Sequence, residues 1–492
     1  MDINSIQTMP TMTTDQVDQL LSGNYIYQQY HKRWKFLLNS FMGGLEYKNG
    51  HYLTRYQLET DGEYAARIDS TPLDNQCASI VSVYNSFLFR EEPDREYGSI
   101  ANLPELQDFI DDVDFDGRNI DQFMLEVATW SEVFGHTWII VSKPNINALT
   151  KADELAVNLR PYLSIISPLT VLDWKWERDE TGRYKLCFLR YVEEINGNIQ
   201  VIRCWTPEQI ETYSINTDNK ELTGYALEAN GLGEIPAVIA YNGRSIVRGV
   251  GISAINDIAD AQRFIYNCIS EANDSIRLDS HPSLVASADT QVGTGAGAII
   301  RPDTTTDPAF KPYVLDFAGA SIDNIYTAIN NTIGAIDKMA AVGSVRATEA
   351  KTMSGVAMEV DFQMLNAKLS MMASNLELAE EQMWRLWCKY QGQGYDMCIE
   401  YPDSFNIRDS SKEIKELQIA AATNPVDPRT RAAIDMKVLD FLDLDEDELA
   451  AINMPDLIDL NAVTEPGDIP EPVTMNPMLS PEAMANMAAK PV

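Results

Sequence analysis

The stretch Ile252–Asp279, ISAINDIADAQRFIYNCISEANDSIRLD, decides how the rest of the chain is read. Ile255, Ile258, Ile265, Ile269, Ala272 and Ile276 recur at three- and four-residue steps, which on an α-helix places them on one apolar stripe. The spacing predicts a helix from Ile252 to Asp279. His281-Pro282 stops it, because proline has no amide to donate and pushes its predecessor out of helical space. Residues to about 321 then read as a non-helical, β-like insert. A second stripe, Ile322, Ile325, Ile329, Ile333, Ile336 and Ala340, predicts a helix over 322–342, closed by Gly343 as a C-terminal stop. Beyond a loop at 344–352, apolar residues from Met353 through Leu365, Leu376 and Met383 to Trp387 predict a third helix, roughly 55 Å long at the usual rise.

Helix, β-insert, returning helix, short loop and long helix is an unusual order, and in it the chain resembles the tailed-phage portal proteins. The resemblance rests on Gly249-Val250-Gly251-Ile252-Ser253-Ala254-Ile255-Asn256-Asp257, then Ser270, Asp274 and His281-Pro282-Ser283-Leu284. Upstream it is carried by Tyr64, Arg67, Asn75 and Phe89, and by Arg160-Pro161-Tyr162, Ser167-Pro168 and Asp173-Trp174. Downstream, a strand ending in Pro402-Asp403-Ser404-Phe405 precedes helices split at Asn424-Pro425. Together these matches cover most of residues 25–450.

The resemblance implies an α+β, mainly helical chain with the portal fold: a mixed α/β wing, a helical stem, a small β-containing clip, a tunnel loop and a helical crown. It divides the sequence into a flexible N-terminus (1–24), a wing (25–248) and a first stem helix (249–280). The clip (281–321), second stem helix (322–342), tunnel loop (343–352) and long wing-to-crown helix (353–391) follow. A wing strand with crown helices (392–463) and a disordered acidic, Pro- and Met-rich tail (464–492) complete it. The implied role is a dodecameric ring at one capsid vertex, the channel for packaging and ejecting double-stranded DNA. The implied partners are other copies of the chain, DNA bound without sequence preference, the terminase large subunit, the head-tail adaptor, and the major capsid and scaffolding proteins. The implied location is the virion portal vertex, reached through the host cytoplasm. The alternative is a ring-forming helical adaptor or scaffold protein that never contacts DNA.

The composition agrees with a structural role. At 492 residues the chain is long enough for more than one lobe. Its formal net charge of −35 excludes a tight, non-specific DNA gripper, since affinity for phosphate comes from Lys and Arg displacing counterions. It favours partners with basic faces instead. The six cysteines show no paired CxxC spacing and read as reduced, buried side chains. Neither a secretory signal nor a run of roughly 20 apolar residues is found, so no membrane partner is expected.

No catalytic constellation stands out along the sequence. Four histidines, His31, His51, His136 and His281, lie outside HExxH or zinc-like spacing, and GxSxG is absent, so neither enzyme activity nor a cofactor is expected. Asp112-Val113-Asp114-Phe115-Asp116-Gly117 imitates a calcium loop, yet its twelfth position is Phe123 where a bidentate Glu is needed. Its carboxylates are expected to serve the N-terminus of a helix over Ile120–Phe134. Gly293-Thr294-Gly295-Ala296-Gly297 lacks the strand, helix and Lys of a phosphate loop and reads as a turn. The candidate DNA-channel residues are the sparse cations Arg263, Arg277, Lys338, Arg346 and Lys351, which equally suit salt bridges between subunits. Candidate clip residues for partner binding are Val285, Arg301, Phe310, Tyr313 and Phe317.

Elsewhere, Thr14 and Asp15 are expected to cap a helix to Leu21, and a basic, aromatic helix over Tyr25–Leu45 ends at Gly43-Gly44. Asn49-Gly50 marks a turn, and a long helix over Glu63–Leu88 carries Pro72 as a kink or boundary. Strands are expected near 136–141, 162–166, 186–192, 199–205, 237–241 and 397–401, with a hairpin at Asn196-Gly197. Two more helices are expected at 410–422 and 427–442.

Overall fold

In the computed structural model, residues 10–144, 159–280, 283–285, 313–315, 320–346 and 355–405 are described. All of them belong to one compact unit, which spans residues 1–406. The helices expected at 410–422 and 427–442, the acidic tail, the Gly293–Gly297 turn, Arg301, Phe310, Phe317 and Lys351 lie outside the described residues.

Side-chain caps set the starts of five of the described helices. Helix α1 (Thr14–Leu21) is capped one residue earlier than expected, by Thr13, whose hydroxyl and backbone exchange hydrogen bonds with Gln16. Asn24 caps α2 (Tyr25–Met42), which stops at Gly43 as expected. The turn expected at Asn49-Gly50 is present, and it closes a short helix, α3 (Gly44–Asn49). One predicted helix becomes two, α4 (Asp61–Ser70) and α5 (Gln76–Leu88), with Pro72 in the break and separate caps at Thr60 and Asn75. Strand β1 (Asp94–Glu96) and α6 (Pro104–Asp111) lead to α7 (Ile120–Phe134), whose bounds match expectation. Its cap is Asn119, not the upstream aspartates.

Strands β2 (His136–Ser142), β3 (Tyr162–Ile166), β4 (Val171–Arg178), β5 (Tyr184–Asn196), β6 (Ile199–Trp205), β7 (Gln209–Asn216), β8 (Glu221–Ala229) and β9 (Ala237–Tyr241) form two antiparallel sheets. One is the meander β4-β5-β6-β7-β8; the other has the order β3-β2-β9. Strand β2 is buried along its whole length, as the apolar run from Trp138 to Val141 demands. Strands β7 and β8 were not expected from the sequence; β7 buries Tyr213 and Ile215 on one face, while β8 has no buried residue. They pair in an antiparallel ladder that places Tyr213 opposite Tyr225 with ring centroids 5.2 Å apart, and such pairing is invisible along a single strand.

Helix α8 (Asn256–Ser280) starts four residues later than predicted. The Ser253 hydroxyl and the Ala254 amide both donate to the Glu132 carbonyl, at 3.0 and 2.9 Å, so the apolar pattern before Asn256 docks the chain on α7. Strands β10 (Ser283–Val285) and β11 (Tyr313–Leu315) pair antiparallel with Val285 opposite Tyr313. Helix α9 (Ala320–Ala340) ends at Ala341, not Gly343. Ala341 has φ of 59°, its amide donates to Lys338, and the Val342 amide donates to Asp337, a Schellman closure that uses alanine where glycine is usual. Gly343 instead opens the one-turn helix α10 (Gly343–Arg346).

The third predicted helix is α11 (Gly355–Tyr390), the longest described. Its Leu365, Leu369, Met372, Leu376, Met383, Trp384 and Trp387 are buried. Trp384 and Trp387 meet Phe109 of α6 at 5.2 and 5.4 Å, an edge-and-tilt cluster that adds to simple area burial. Strand β12 (Cys398–Glu400) returns to pair with β1. Four cysteines are buried as expected, whereas Cys187 is half-buried and Cys398 is exposed on β12.

Candidate functional site

Helices α8 and α9 pack against each other, and side chains along α8 decide which way the pair faces. Ile255, Ile258, Ala259, Ile265 and Ala272 are buried. Between them sits Gln262, fully buried: its carbonyl oxygen accepts from the Cys77 amide at 2.8 Å and its amide donates to the Ser40 carbonyl at 2.9 Å. One side chain thus ties α8 to α5 and α2 with every strong bond satisfied. On α9, Ile329, Ile336 and Ala340 are buried. Its exposed positions are Asp323, Asn324, Tyr326, Thr327, Asn330, Asn331, Ala335, Lys338 and Met339 among the described residues. That face mixes amides with Tyr326 and Met339, and its one acid and one base leave it nearly neutral.

Where α9 ends, the chain is held from several directions. The Tyr84 hydroxyl donates to the Ala340 carbonyl at 2.6 Å and accepts from the Lys368 ammonium at 2.7 Å. Arg346 pairs with Asp337 at 2.9 Å and also donates to Gln76. Burial pushes the Asp337 carboxyl up while Arg346 opposes it. Close by is Glu132, completely buried, with no hydrogen-bond partner on either carboxylate oxygen among the described residues. Burial drives its pKa well above the ordinary 4.5, opposed by Lys368, whose own pKa burial lowers. His136 is buried too; its Nδ1 accepts from the Gly251 amide at 3.2 Å and burial lowers its pKa to about 3. A neutral imidazole so enclosed is a packing element.

The calcium-like aspartates are occupied by protein donors. Asp114 accepts from the Asp116 amide at 2.9 Å and pairs with Arg118; Asp112 accepts from the Gly117 amide at 2.9 Å and pairs with Arg160 at 3.2 Å. They brace their own turn. Among the described residues no group of three or more His, Cys, Asp or Glu is arranged to hold a metal ion.

Two arginines anchor the helices to the body. Arg67 meets Glu59 at 2.7 and 2.8 Å, the Thr54 carbonyl at 2.8 Å and the Ser270 hydroxyl of α8 at 3.1 Å. Arg95 meets Glu380 of α11 at 2.6 Å and Asp121 of α7 at 2.7 Å. Glu380 accepts as well from the Tyr401 hydroxyl at 2.6 Å and the Trp384 indole at 3.2 Å. Sequence reading singled out Arg67 but not Arg95 or Glu380, since no local pattern links residues 285 positions apart.

A family model described as phage portal protein, SPP1 Gp6-like, matches residues 75–410, more than half of the chain. The chain belongs to the phage portal protein family. Two solved structures are similar to it: the virion of a native gene transfer agent particle, at 9% identity over 73% of this chain and 89% of that one with a TM-score of 0.37, and the neck of an empty gene transfer agent particle computed with C6 symmetry, at 10% identity over 73% and 89% with a TM-score of 0.38. At such scores the likeness adds nothing to the family assignment. No curated protein matches the chain.

Among the described residues, the cations expected to line a portal channel have different surroundings. Arg263 donates to the Tyr52 carbonyl at 3.3 Å, and Arg277 pairs with Asp274 at 3.1 Å, one turn away on its own helix. Lys338 is exposed with no ion pair among the described residues. Arg346, by contrast, is a clamp inside the portal chain, its side chain 17% exposed. Of the expected clip residues, Val285 and Tyr313 are partners in one ladder. No helix among the described residues is long and apolar enough to cross a membrane.

Proposed function

We propose that this portal protein assembles as a dodecameric ring at one capsid vertex of a virion, with α8 and α9 lining the channel that passes double-stranded DNA during packaging and ejection. Residues 281–321 form the clip, which receives the terminase large subunit first and the head-tail adaptor afterwards. Residues 343–352, which begin with the one-turn helix α10, form the segment that meets DNA in the bore. The supporting observation is the scarcity of charge on the exposed face of α9, where Asp323 and Lys338 are the charged residues among those described, in a chain of net charge −35. Each phosphate contact adds to affinity, so a wall with few cations leaves the duplex free to slide. Because Arg346 is engaged within its own chain, the DNA contacts are assigned to the exposed Arg263, Arg277 and Lys338 and to Lys351, and a bracing role to Arg346.

Negative-stain imaging of the purified protein tests the reading. Rings with a central hole wide enough for a duplex are expected; a chain that stays monomeric at high concentration, or a closed helical bundle without a hole, overturns it. Deleting 285–317 is expected to leave rings that bind neither terminase nor adaptor, and equal binding refutes the clip assignment.

A further inference from the structure

Between β9 and α8 the chain makes a tight loop, Gly243-Arg244-Ser245-Ile246-Val247-Arg248-Gly249-Val250-Gly251, that the proposed channel does not use. Arg244 and Gly251 form an antiparallel bridge, the Ser245 amide donates to the Val250 carbonyl at 3.3 Å, and the Ile252 amide donates to the Gly243 carbonyl at 2.7 Å. Its base is wedged into the body. A Cβ on Gly251 would stand 1.8 Å from the Gly135 carbonyl oxygen, and one on Gly249 2.3 Å from the Trp174 indole nitrogen. That indole donates to the Arg248 carbonyl at 3.3 Å. A loop bonded this closely loses little further freedom when something binds it.

At its tip Ile246 is fully exposed, the most exposed large apolar side chain among the described residues. Arg244 lies over the Tyr241 ring at 5.4 Å, and Arg248 over Tyr184 at 3.8 Å and Trp176 at 5.6 Å. Neither arginine has an ion pair among the described residues. Trp176 and Tyr184 continue into a groove of about 470 Å³ lined also by Pro207, Ile235, Arg385 and Leu386. An apolar tip flanked by arginines stacked on aromatic rings has the composition of a protein–protein hot spot.

We propose that this loop is a contact between neighbouring copies of the chain, Ile246 entering the adjacent copy while Arg244 and Arg248 face its carboxylates. Charge selects the occupant. With 73 Asp and Glu against 38 Lys and Arg, every copy presents an acidic surface to the next, and a ring of such chains needs local cations at its joints. A head-to-tail joint of two different surfaces is also the kind that closes into a ring. DNA is the poorer occupant, because an exposed isoleucine at the tip gains nothing from phosphate. The inference rests on the ring proposed above and names one of its joints.

Native mass spectrometry and sedimentation of the full-length chain over a range of concentrations provide the test. Ile246→Asp is expected to raise the concentration for half-assembly roughly tenfold or more, while its circular-dichroism melting curve stays that of wild type. Ile246→Leu is expected to assemble normally, and the double variant Arg244→Glu, Arg248→Glu to fail as Ile246→Asp does, which gives a second reading if one variant misfolds. Assembly of both disrupted variants at wild-type concentrations overturns the proposal. So do normal rings that lose binding to a double-stranded DNA fragment, an outcome that assigns the loop to nucleic acid. If wild type itself never assembles, the portal proposal has failed and this joint falls with it; rings of wild type and Ile246→Asp alike refute the joint alone.

Discussion

Cations in the body of this molecule and cations on its helical pair α8–α9 live in opposite surroundings. The side chains of Arg67 and Arg95 are each 7% exposed, and each meets a carboxylate through two nitrogens. Arg277 is 74% exposed and meets Asp274 through one, while Lys338 has no ion pair among the described residues. Water makes the difference. Removing one member of a buried pair strands a charge that nothing rehydrates, whereas an exposed pair exchanges its partner for solvent at almost no cost. The buried arginines therefore belong to the fold, and the exposed cations are the ones available to a passing ligand.

The sharpest way to break this contrast is Arg95→Ala, which leaves Glu380 fully buried beside Trp384 and Tyr401 and is expected to cost about 3–5 kcal/mol in thermal or denaturant unfolding. A loss below 1 kcal/mol would mean the network is decorative. Next comes Arg67→Lys, which keeps the charge but gives up the fork that reaches Glu59, Thr54 and Ser270 together; roughly 1.5–3 kcal/mol should be lost, read from the urea midpoint.

Glu132→Gln sharpens the comparison from the other side, since here a buried acid has no hydrogen-bonded partner on its carboxylate among the described residues. Burial raises its folded pKa above 4.5. Below that value both folded and unfolded chains carry the proton, and the substitution is nearly neutral. As pH rises, the unfolded chain releases its proton first, so wild type loses stability until the folded pKa is passed. The variant is expected to gain on the order of 1 kcal/mol over wild type at pH 8 and little at pH 4. An equal difference at both pH values would show that the carboxyl does not titrate this way. The smallest effect belongs to Arg277→Ala, within about 0.5 kcal/mol of wild type in unfolding. A cost matching that of Arg95→Ala would erase the distinction between the two settings.

Much of the helical frame was legible along the chain because its apolar steps are local. Ile322 to Ala340 and Leu365 to Trp387 each repeat at the helical period, and α7 has the predicted bounds because Asn119 caps it and Gly135 ends it. The misreadings came where a contact overrode a local signal. Gly343 promised a helix stop, but Ala341 already closes α9 through bonds to Lys338 and Asp337. Asp112 and Asp114 promised a helix cap, but Arg160 and Arg118 had claimed them. Residues Ile252–Ile255 continued the apolar pattern of α8, yet the Glu132 carbonyl holds them out of it.

The sequence by itself determined that helices would bracket a β-like insert and that the chain carries a large negative charge, since each depends on residue type and near spacing alone. The tertiary structure alone decided which charges are buried, because Arg95 finds Glu380 only after 285 positions of chain have folded back. It also decided that Arg346 is a clamp and that Ile246 stands at the tip of a rigid loop. Burial and long-range pairing are properties of packed surfaces, and no local pattern of residues encodes which surfaces will meet.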